Sequence, residues 1–243
     1  MIFFFCAPLR ADVFLDGVDD NINFGNLKNP TTAISVYMVV TIHSAVADDT
    51  MLQKTTSGAE PFISYMLKVT GTASPIQPSF AVGLAALQTT VGTDSDDLAF
   101  DTKYTFCGTW SSGNRIKFFK NGTLDAQSAG SPSGSITYVD SQNTYIGLNN
   151  LDNKNPHMTV HDFALWDVEL STEEVYVVCS TPSSHIAMNW VQVRKPILAT
   201  TLDDFGHHSV MSGTNLIRNR AGEYLNGTPE NSPLSLDEKV SYP

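Results

Sequence analysis

Aspartates are the residues of this chain whose type and spacing could form a binding site. Asp16, Asp19 and Asp20 fall within five residues, in the run Asp16-Gly17-Val18-Asp19-Asp20. Because Ca²⁺ is bound by carboxylate, amide and carbonyl oxygens, this spacing makes a candidate metal site. The same residues are also common turn formers, since Asp side chains hydrogen-bond to nearby backbone amides. From the sequence, a turn and a metal site both remain open interpretations.

The second group of aspartates and the histidines give weaker indications of a binding site. Asp94, Asp96, Asp97 and Asp101 lie in a stretch rich in Gly, Ser and Thr, which favours a solvated loop, with an interaction surface as the alternative. The histidines are His43, His157, His161, His185, His207 and His208, and none has the spacing of a His-Glu-x-x-His metal motif. His207 and His208 are adjacent and would make a poor chelate. We assign the histidines no role on sequence grounds.

The motifs of common enzyme classes do not occur in the chain. Jelly-roll glycanases carry paired carboxylates in a Glu-x-Asp pattern, and no Glu-x-Asp is present here. The chain also has no Gly-x-Ser-x-Gly elbow, no phosphate loop and no Gly-x-Gly-x-x-Gly. We therefore predict a protein that is not an enzyme. A glycan lyase or hydrolase would need a cleft with two carboxylates about 5 to 9.5 Å apart, and a raised pKa.

Length and charge narrow the class of partner. The chain has 243 residues, which suits one large all-β domain with an appendage, and its formal net charge is −11. Nucleic-acid backbones and anionic membranes would be repelled by this charge, so we predict neither as a partner. No apolar run approaches the roughly 20 residues needed to cross a bilayer.

The number and spacing of the cysteines indicate the redox compartment in which the protein is assembled. Cys6, Cys107 and Cys179 are an odd number without metal-ligand spacing, which predicts reduced thiols in a protein assembled in a reducing cytoplasm. Residues 1–10 lack the basic start of a signal peptide, and their apolar run stops at Pro8. We expect a first strand there and no signal peptide.

Short strand-like runs separated by turn residues position these groups. Residues 34–42 are β-branched and predict a central strand buried on both faces, and residues 62–70 alternate, with Ile63, Tyr65, Leu67 and Val69 on one face. Asn121-Gly122 predicts a tight type I′ hairpin turn. Ser171 and Glu174 match a capping box at the start of one short helix. Residues 188–193 could form a closing strand.

Several segments in order carry a family resemblance. They are residues 14–20, residues 106–113 followed by 116–122, residues 145–147, residues 162–171 and residues 188–190. The series resembles laminin-G-like, concanavalin A-like jelly-roll domains with the motif order of pentraxins, over about residues 13–195. The resemblance implies an all-β fold, a two-sheet antiparallel jelly-roll sandwich with one short helix. We predict a domain over residues 1–195 and an extended C-terminal tail over 196–243, packed on the domain or on a neighbouring subunit.

The resemblance also implies particular residue roles. Asp48 and Asp49 would face Asn149, Asn150 and Asp152 across one end of the sandwich, a candidate calcium site, although turn chemistry alone also selects these residues. Calcium is the one candidate cofactor. Trp110, Trp166 and Trp190 fall at family positions where core packing is expected. The pentraxin partner of Cys107 corresponds to Tyr37, so we expect the usual disulfide to be missing.

Two functions follow as expectations. The first is a non-enzymatic structural or adhesive protein of a virion surface, a bacteriophage capsid-decoration or fibre component, assembled in the host cytoplasm and contacting other virion proteins or copies of itself. A fold that normally works outside cells, without an export signal or a disulfide, favours this function. The alternative is a lectin-like, carbohydrate-binding module for a host-surface glycan, with calcium as a candidate requirement. Its site would be formed by the end loops at residues 45–50 and 148–157.

Overall fold

The computed structural model is a sandwich of two antiparallel sheets with one helix. It describes residues 12–26, 29–44, 49–55, 63–70, 76–84, 87–92, 98–138, 142–148, 155–180, 198–201, 216–218, 224–226 and 228–230. The two-sheet jelly roll with one short helix, predicted from the sequence, is confirmed. The predicted first strand (residues 1–10) and closing strand (residues 188–193) lie outside the described residues.

Sheet A has the strand order β1-β12-β3-β8-β9-β10, and β13 also pairs with β12. Its strands are β1 (Val13–Asp16), β3 (Ala33–Ser44), β8 (Lys103–Ser111), β9 (Lys117–Lys120), β10 (Thr123–Gln127), β12 (His157–Trp166) and β13 (Leu198–Thr201). The long strand β3 lies between β12 and β8, with only its ends partly exposed, as the sequence predicts for a central strand.

Sheet B has the order β16-β2-β11-β4-β5-β6-β7. Its strands are β2 (Asn21–Asn23), β4 (Asp49–Thr55), β5 (Ile63–Thr70), β6 (Gln77–Leu84), β7 (Leu87–Gly92), β11 (Thr144–Ile146) and β16 (Thr228–Glu230). Strands β14 (Leu216–Arg218) and β15 (Tyr224–Asn226) form a separate hairpin. In the region predicted as a tail, β13 and β16 thus add to opposite sheets, while the boundary at residue 196 stays a prediction.

The main core fills the space between the sheets. Alternate residues of β3 point into it, among them Val36, Met38 and Val40, all at 0% exposure. In β5 the inward residues are Tyr65, Leu67 and Val69. The predicted fourth member, Ile63, instead packs with Met66 and Ala81 in a small separate cluster. Lys54 pairs with Tyr65 and Thr55 with Ile63, so β5 has one extra residue, Ser64, at this point, and this bulge in β5 accounts for the change of side.

Local signals in the sequence form as predicted. Asn121 and Gly122 both have positive φ, at 51° and 82°, and connect β9 to β10. The helix α1 (Thr172–Ser180) begins with the capping box, since Ser171 Oγ accepts from the Glu174 amide at 3.2 Å and the Glu174 carboxylate accepts from the Ser171 amide at 2.7 Å.

Helix α1 covers part of the outer face of sheet A. Val175 and Val178 of the helix pack there with outward residues of the sheet, including Tyr37, Phe119 and Trp166. Trp110 and Trp166 are both buried, as predicted, whereas Trp190 lies outside the described residues. This second cluster ties the helix to the sheet without entering the main core.

Cys107 lies directly opposite Tyr37 in the β3–β8 register. The Cys107 thiol is free and fully buried, and Tyr37 occupies the position where the resemblance places the pentraxin partner cysteine. Burial, and secondarily the nearby Cys179, raises the pKa of Cys107 well above its usual value. Burial also raises the pKa of Cys179, to about 12. Both thiols are therefore poor nucleophiles. Within the described residues, no helix has the length and apolar character needed to cross a bilayer.

Candidate functional site at one end of the sandwich

The carboxylates singled out in the sequence meet in one turn. We call residues 16–20 the acidic turn; it connects the end of β1 to the start of β2. Asp16 Oδ1 accepts from the Val18 amide at 2.8 Å, and Asp20 Oδ2 accepts from the Asp16 amide at 3.1 Å. Gly17 has φ +80°, a conformation that glycine adopts without strain. The predicted turn chemistry is present, and it uses one oxygen from each of these two carboxylates.

The acidic turn also satisfies the geometric condition for a metal site. Asp16, Asp19 and Asp20 each offer an oxygen, and these oxygens lie within 4.8 Å of one another. Asp20 is buried, with 3% of its surface exposed, whereas Asp19 is exposed. Burial raises the pKa of Asp20 against the lowering effect of the Asp16 amide, and the charges of Asp16 and Asp19 raise it further. The negative charge is therefore concentrated and partly desolvated.

Two asparagine side chains are packed against the acidic turn. Asn21 donates from Nδ2 to the Asp19 carbonyl at 3.3 Å, and Asn155 donates from Nδ2 to the Val18 carbonyl at 2.9 Å. Asn21 is 2% exposed and Asn155 is 8% exposed. The Oδ1 atom of each is buried and has no hydrogen-bond partner among the residues that the structure describes. Two amide side chains directed at the turn thus carry oxygens whose acceptor capacity is unused within the described part of the chain.

Close packing fixes the turn against both sheets. A Cβ added to Gly17 would lie 3.0 Å from His157 Cβ, and one added to Gly147 would lie 2.4 Å from a methyl of Leu15 and 3.3 Å from the Asp20 carbonyl oxygen. The Gly147 amide in turn donates to the Met51 carbonyl at 3.0 Å. The turn therefore packs against β12 of sheet A and lies next to β11 and β4 of sheet B.

A second group of side chains, absent from the sequence-based predictions, adjoins the turn. We call Phe14, His43 and His157 the histidine patch. Their ring centroids are 5.6 Å apart for Phe14 and His43, and 5.0 Å apart for the other two pairs. Phe14 is 39% exposed, and His157 pairs with Asp16 in the β1–β12 register. The patch and the acidic turn therefore form one continuous surface.

Hydrogen bonds hold the imidazoles of this surface. His43 bonds through Nδ1 to Asp101 at 2.6 Å and through Nε2 to Thr159 at 2.8 Å. Beside the patch, His161 lies 2.7 Å from an Asp12 carboxylate oxygen and 2.9 Å from Thr41 Oγ1. The sequence signal that could have found these residues is strand alternation, since Thr41 and His43 are two apart on β3.

The residues of the predicted calcium set are only partly described. Asp49 opens β4 and is buried at 1% exposure. Asp48, Asn149, Asn150 and Asp152 lie outside the described residues. That set therefore stays a prediction. Of the other acidic group, Asp101 pairs with His43 through a side chain that is 75% exposed, while Asp94, Asp96 and Asp97 also fall outside the described residues.

The acidic turn is poorly arranged for glycoside hydrolysis. That reaction needs two carboxyl groups on opposite sides of the scissile bond, about 5 to 9.5 Å apart. Here all three carboxylates belong to one five-residue turn, and the one with the raised pKa, Asp20, is buried and accepts from a backbone amide. The arrangement can gather oxygen ligands around a cation, but it cannot flank a sugar ring.

Comparisons with known proteins agree with this fold. A solved pentraxin, the heptameric SAP-like pentraxin from Limulus polyphemus, matches with a TM-score of 0.56 and 14% identity, covering 69% of this chain and 81% of that one. A protein described as a putative carbohydrate binding protein from Bacteroides ovatus matches with a TM-score of 0.58 and 14% identity, covering 93% of this chain and 61% of that one. At this identity the two matches indicate the fold alone.

Two further comparisons complete the assignment. A search of curated proteins found no significant match. A sequence profile described as the Concanavalin A-like lectin/glucanases superfamily, of the laminin-G type, matches residues 16–176, well over half of the chain. The matched region begins in the acidic turn, includes the central strand β3 and ends within helix α1. The chain therefore belongs to the concanavalin A-like lectin/glucanases superfamily.

Proposed function

We propose that this protein is a non-catalytic carbohydrate-binding module, and that the histidine patch contacts the glycan. The observation that carries the proposal is the exposed aromatic ring of Phe14, in contact with two imidazoles on the surface of a lectin-type sandwich. An aromatic face packs against the C–H face of a sugar, while neighbouring polar groups bond to its hydroxyls. The match to a Bacteroides ovatus protein described as carbohydrate-binding is consistent with this proposal.

The polar atoms around Phe14 suit a hydroxyl-rich ligand. The His157 imidazole, the Asp16 carboxylate and the hydroxyls of Ser44 and Thr159 all lie on or beside the patch, as the pairs His157–Asp16, Ser44–His157 and His43–Thr159 indicate. They include both donors and acceptors, which sugar hydroxyls require. With a net charge of −11, the protein favours neutral or basic glycans over sulfated or sialylated ones.

Glycan-array screening of the full chain, followed by titration of the best ligand, tests the proposal. Phe14→Ala and His157→Ala should each weaken binding at least tenfold, because they remove the stacking face and a hydroxyl partner. Tyr176→Ala is the matched control, since Tyr176 is also an exposed aromatic, at 62%, but lies on helix α1. Binding that survives both patch substitutions, or the absence of any glycan ligand, would contradict the proposal.

A second candidate function is a structural role on a virion surface, with assembly in a reducing host cytoplasm. It is favoured by the free thiol of Cys107, which is fully buried opposite Tyr37 where a disulfide would otherwise be placed. The partners would be other virion proteins or further copies of this chain. Density-gradient centrifugation tests this role: co-sedimentation with particles is expected, and a protein found only as free monomer would refute it. Glycan binding and a virion location are compatible.

A further inference from the structure

The acidic turn holds more oxygen ligands than a turn requires. Asp16 and Asp20 each use one carboxylate oxygen to close it, and their second oxygens accept no hydrogen bond from the described part of the chain. Three neighbouring carboxylates repel one another, and the burial of Asp20 strengthens that repulsion because the local dielectric is lower. A bound cation would remove this cost.

The buried amides supply the second, independent indication. Of the two ends of a side-chain amide, only the NH₂ group can donate to a carbonyl. The bonds to the Val18 and Asp19 carbonyls therefore identify the nitrogen, and hence the oxygen, of Asn155 and Asn21. Each Oδ1 shares a planar amide with the nitrogen that donates to the turn, so the side chain that is directed at the turn also carries the unpartnered oxygen. A buried acceptor without a partner is costly and calls for an explanation. Coordination of a cation is such an explanation.

We propose that the acidic turn is a calcium site, with Asp16, Asp19, Asp20, Asn21 and Asn155 as its side-chain ligands. Three carboxylates and two amide oxygens make five ligand groups, and one bidentate carboxylate or one water brings the number to the six to eight that Ca²⁺ takes. Oxygens that share a Ca²⁺ ion lie at most about 5 Å apart, twice the metal–oxygen distance. The carboxylate oxygens here lie within 4.8 Å of one another.

The donor set favours Ca²⁺ over other cations. Mg²⁺ usually keeps several waters and takes one or two carboxylates, so it does not suit a set of three carboxylates and two amides. Zn²⁺ prefers nitrogen and sulfur ligands in a tetrahedral arrangement, which this group does not offer. The site is distinct from the set of Asp48, Asp49, Asn149, Asn150 and Asp152. It goes beyond glycan binding and does not depend on it.

Calorimetric titration of the chelator-treated full chain with CaCl₂ alone tests the site. One site is expected with a dissociation constant of about 10⁻⁴ to 10⁻³ M, the range of extracellular modules. Asp19→Asn should weaken the affinity at least tenfold, and because Asp19 is exposed this variant should fold normally. Asn155→Ala should weaken it as well. Asp101→Asn, a change at an exposed carboxylate outside the turn, is the matched control and should have no effect.

Asp152→Asn separates the two calcium candidates. A dissociation constant that changes with Asp152→Asn and not with Asp19→Asn would assign the ion to the other set and overturn the proposal. Absence of binding at 10 mM CaCl₂, or equal affinity in the wild type, Asp19→Asn and Asn155→Ala, would overturn it too. Glycan titration in chelator is scored separately, so failure of the calcium site and failure of glycan binding are distinguishable.

Discussion

Two regions of this protein hold partly buried carboxylates, and they differ in what surrounds the charge. Glu169, just before helix α1, accepts hydrogen bonds from Ser111, from Asn114 at 2.7 Å and from Lys117 at 2.9 Å. The acidic turn places three carboxylates within 4.8 Å of one another, and its two amide groups donate to backbone carbonyls instead. Glu169 accepts hydrogen bonds from three side chains, whereas each carboxylate of the acidic turn has two others of like charge within 4.8 Å.

The pKa shifts of the two regions have opposite signs. Burial alone would raise the pKa of Glu169, but the hydrogen bonds from Ser111, Lys117 and Asn114 outweigh it and hold the pKa below its usual value. Burial raises the pKa of Asp20, and the charges of Asp16 and Asp19 add to the effect. A carboxylate whose pKa is lowered by donors stabilises the fold, whereas a cluster that raises the pKa of one of its members is typical of a functional site.

Removal of the Glu169 carboxylate should change the free energy of unfolding the most. Glu169→Ala removes the charged acceptor of Lys117, Ser111 and Asn114, and hydrogen bonds to charged groups contribute about 1.5 to 3 kcal/mol. We expect the free energy of unfolding to fall by about 2 kcal/mol, measured by urea denaturation. Glu173→Gln is the control, because Glu173 is fully exposed and should matter much less. Equal losses of unfolding free energy in Glu169→Ala and Glu173→Gln would contradict this prediction.

The pH dependence of the same site sharpens the comparison. Since the folded-state pKa of Glu169 is lowered, its ionised form stabilises the fold at pH values above the unfolded-state pKa. That contribution is lost as the pH falls through the folded-state pKa. The difference in unfolding free energy between wild type and Glu169→Gln should therefore be largest near neutral pH and shrink below about pH 4.3. Urea denaturation from pH 3 to pH 7 measures it; a difference constant with pH would contradict this.

Removal of a carboxylate from the acidic turn should change the stability of the fold less, and in the opposite direction. Because the folded-state pKa of Asp20 is raised, its ionisation destabilises the metal-free fold at neutral pH. Asp20→Asn should therefore raise the melting temperature in chelator at pH 7, and the gain should vanish as the pH falls below the unfolded-state pKa, about 3.9. Calorimetric melting in chelator at both pH values checks this. A lower melting temperature at pH 7 would show that Asp20 stabilises the fold as Glu169 does.

Much of the fold was accessible from residue patterns. The β-branched run of residues 34–42, the Asn121-Gly122 turn and the Ser171–Glu174 capping box each depend on neighbours in sequence, and each forms as predicted. The side on which Ile63 packs was not accessible, because a bulge in β5 relative to its partner strand changes it. The histidine patch was missed since His43 and His157 belong to different strands and share no motif.

The sequence by itself determined the strands, the turns, the capped helix and the clustering of Asp16, Asp19 and Asp20, because these depend on residues close together in the chain. Only the tertiary structure decided what surrounds each group. Pairing of β1 with β12 brings Asp16 beside His157, and the return of the chain at residue 155 places an amide against Val18. Contacts between residues more than a hundred positions apart arise from sheet register, and register is a property of the whole sandwich.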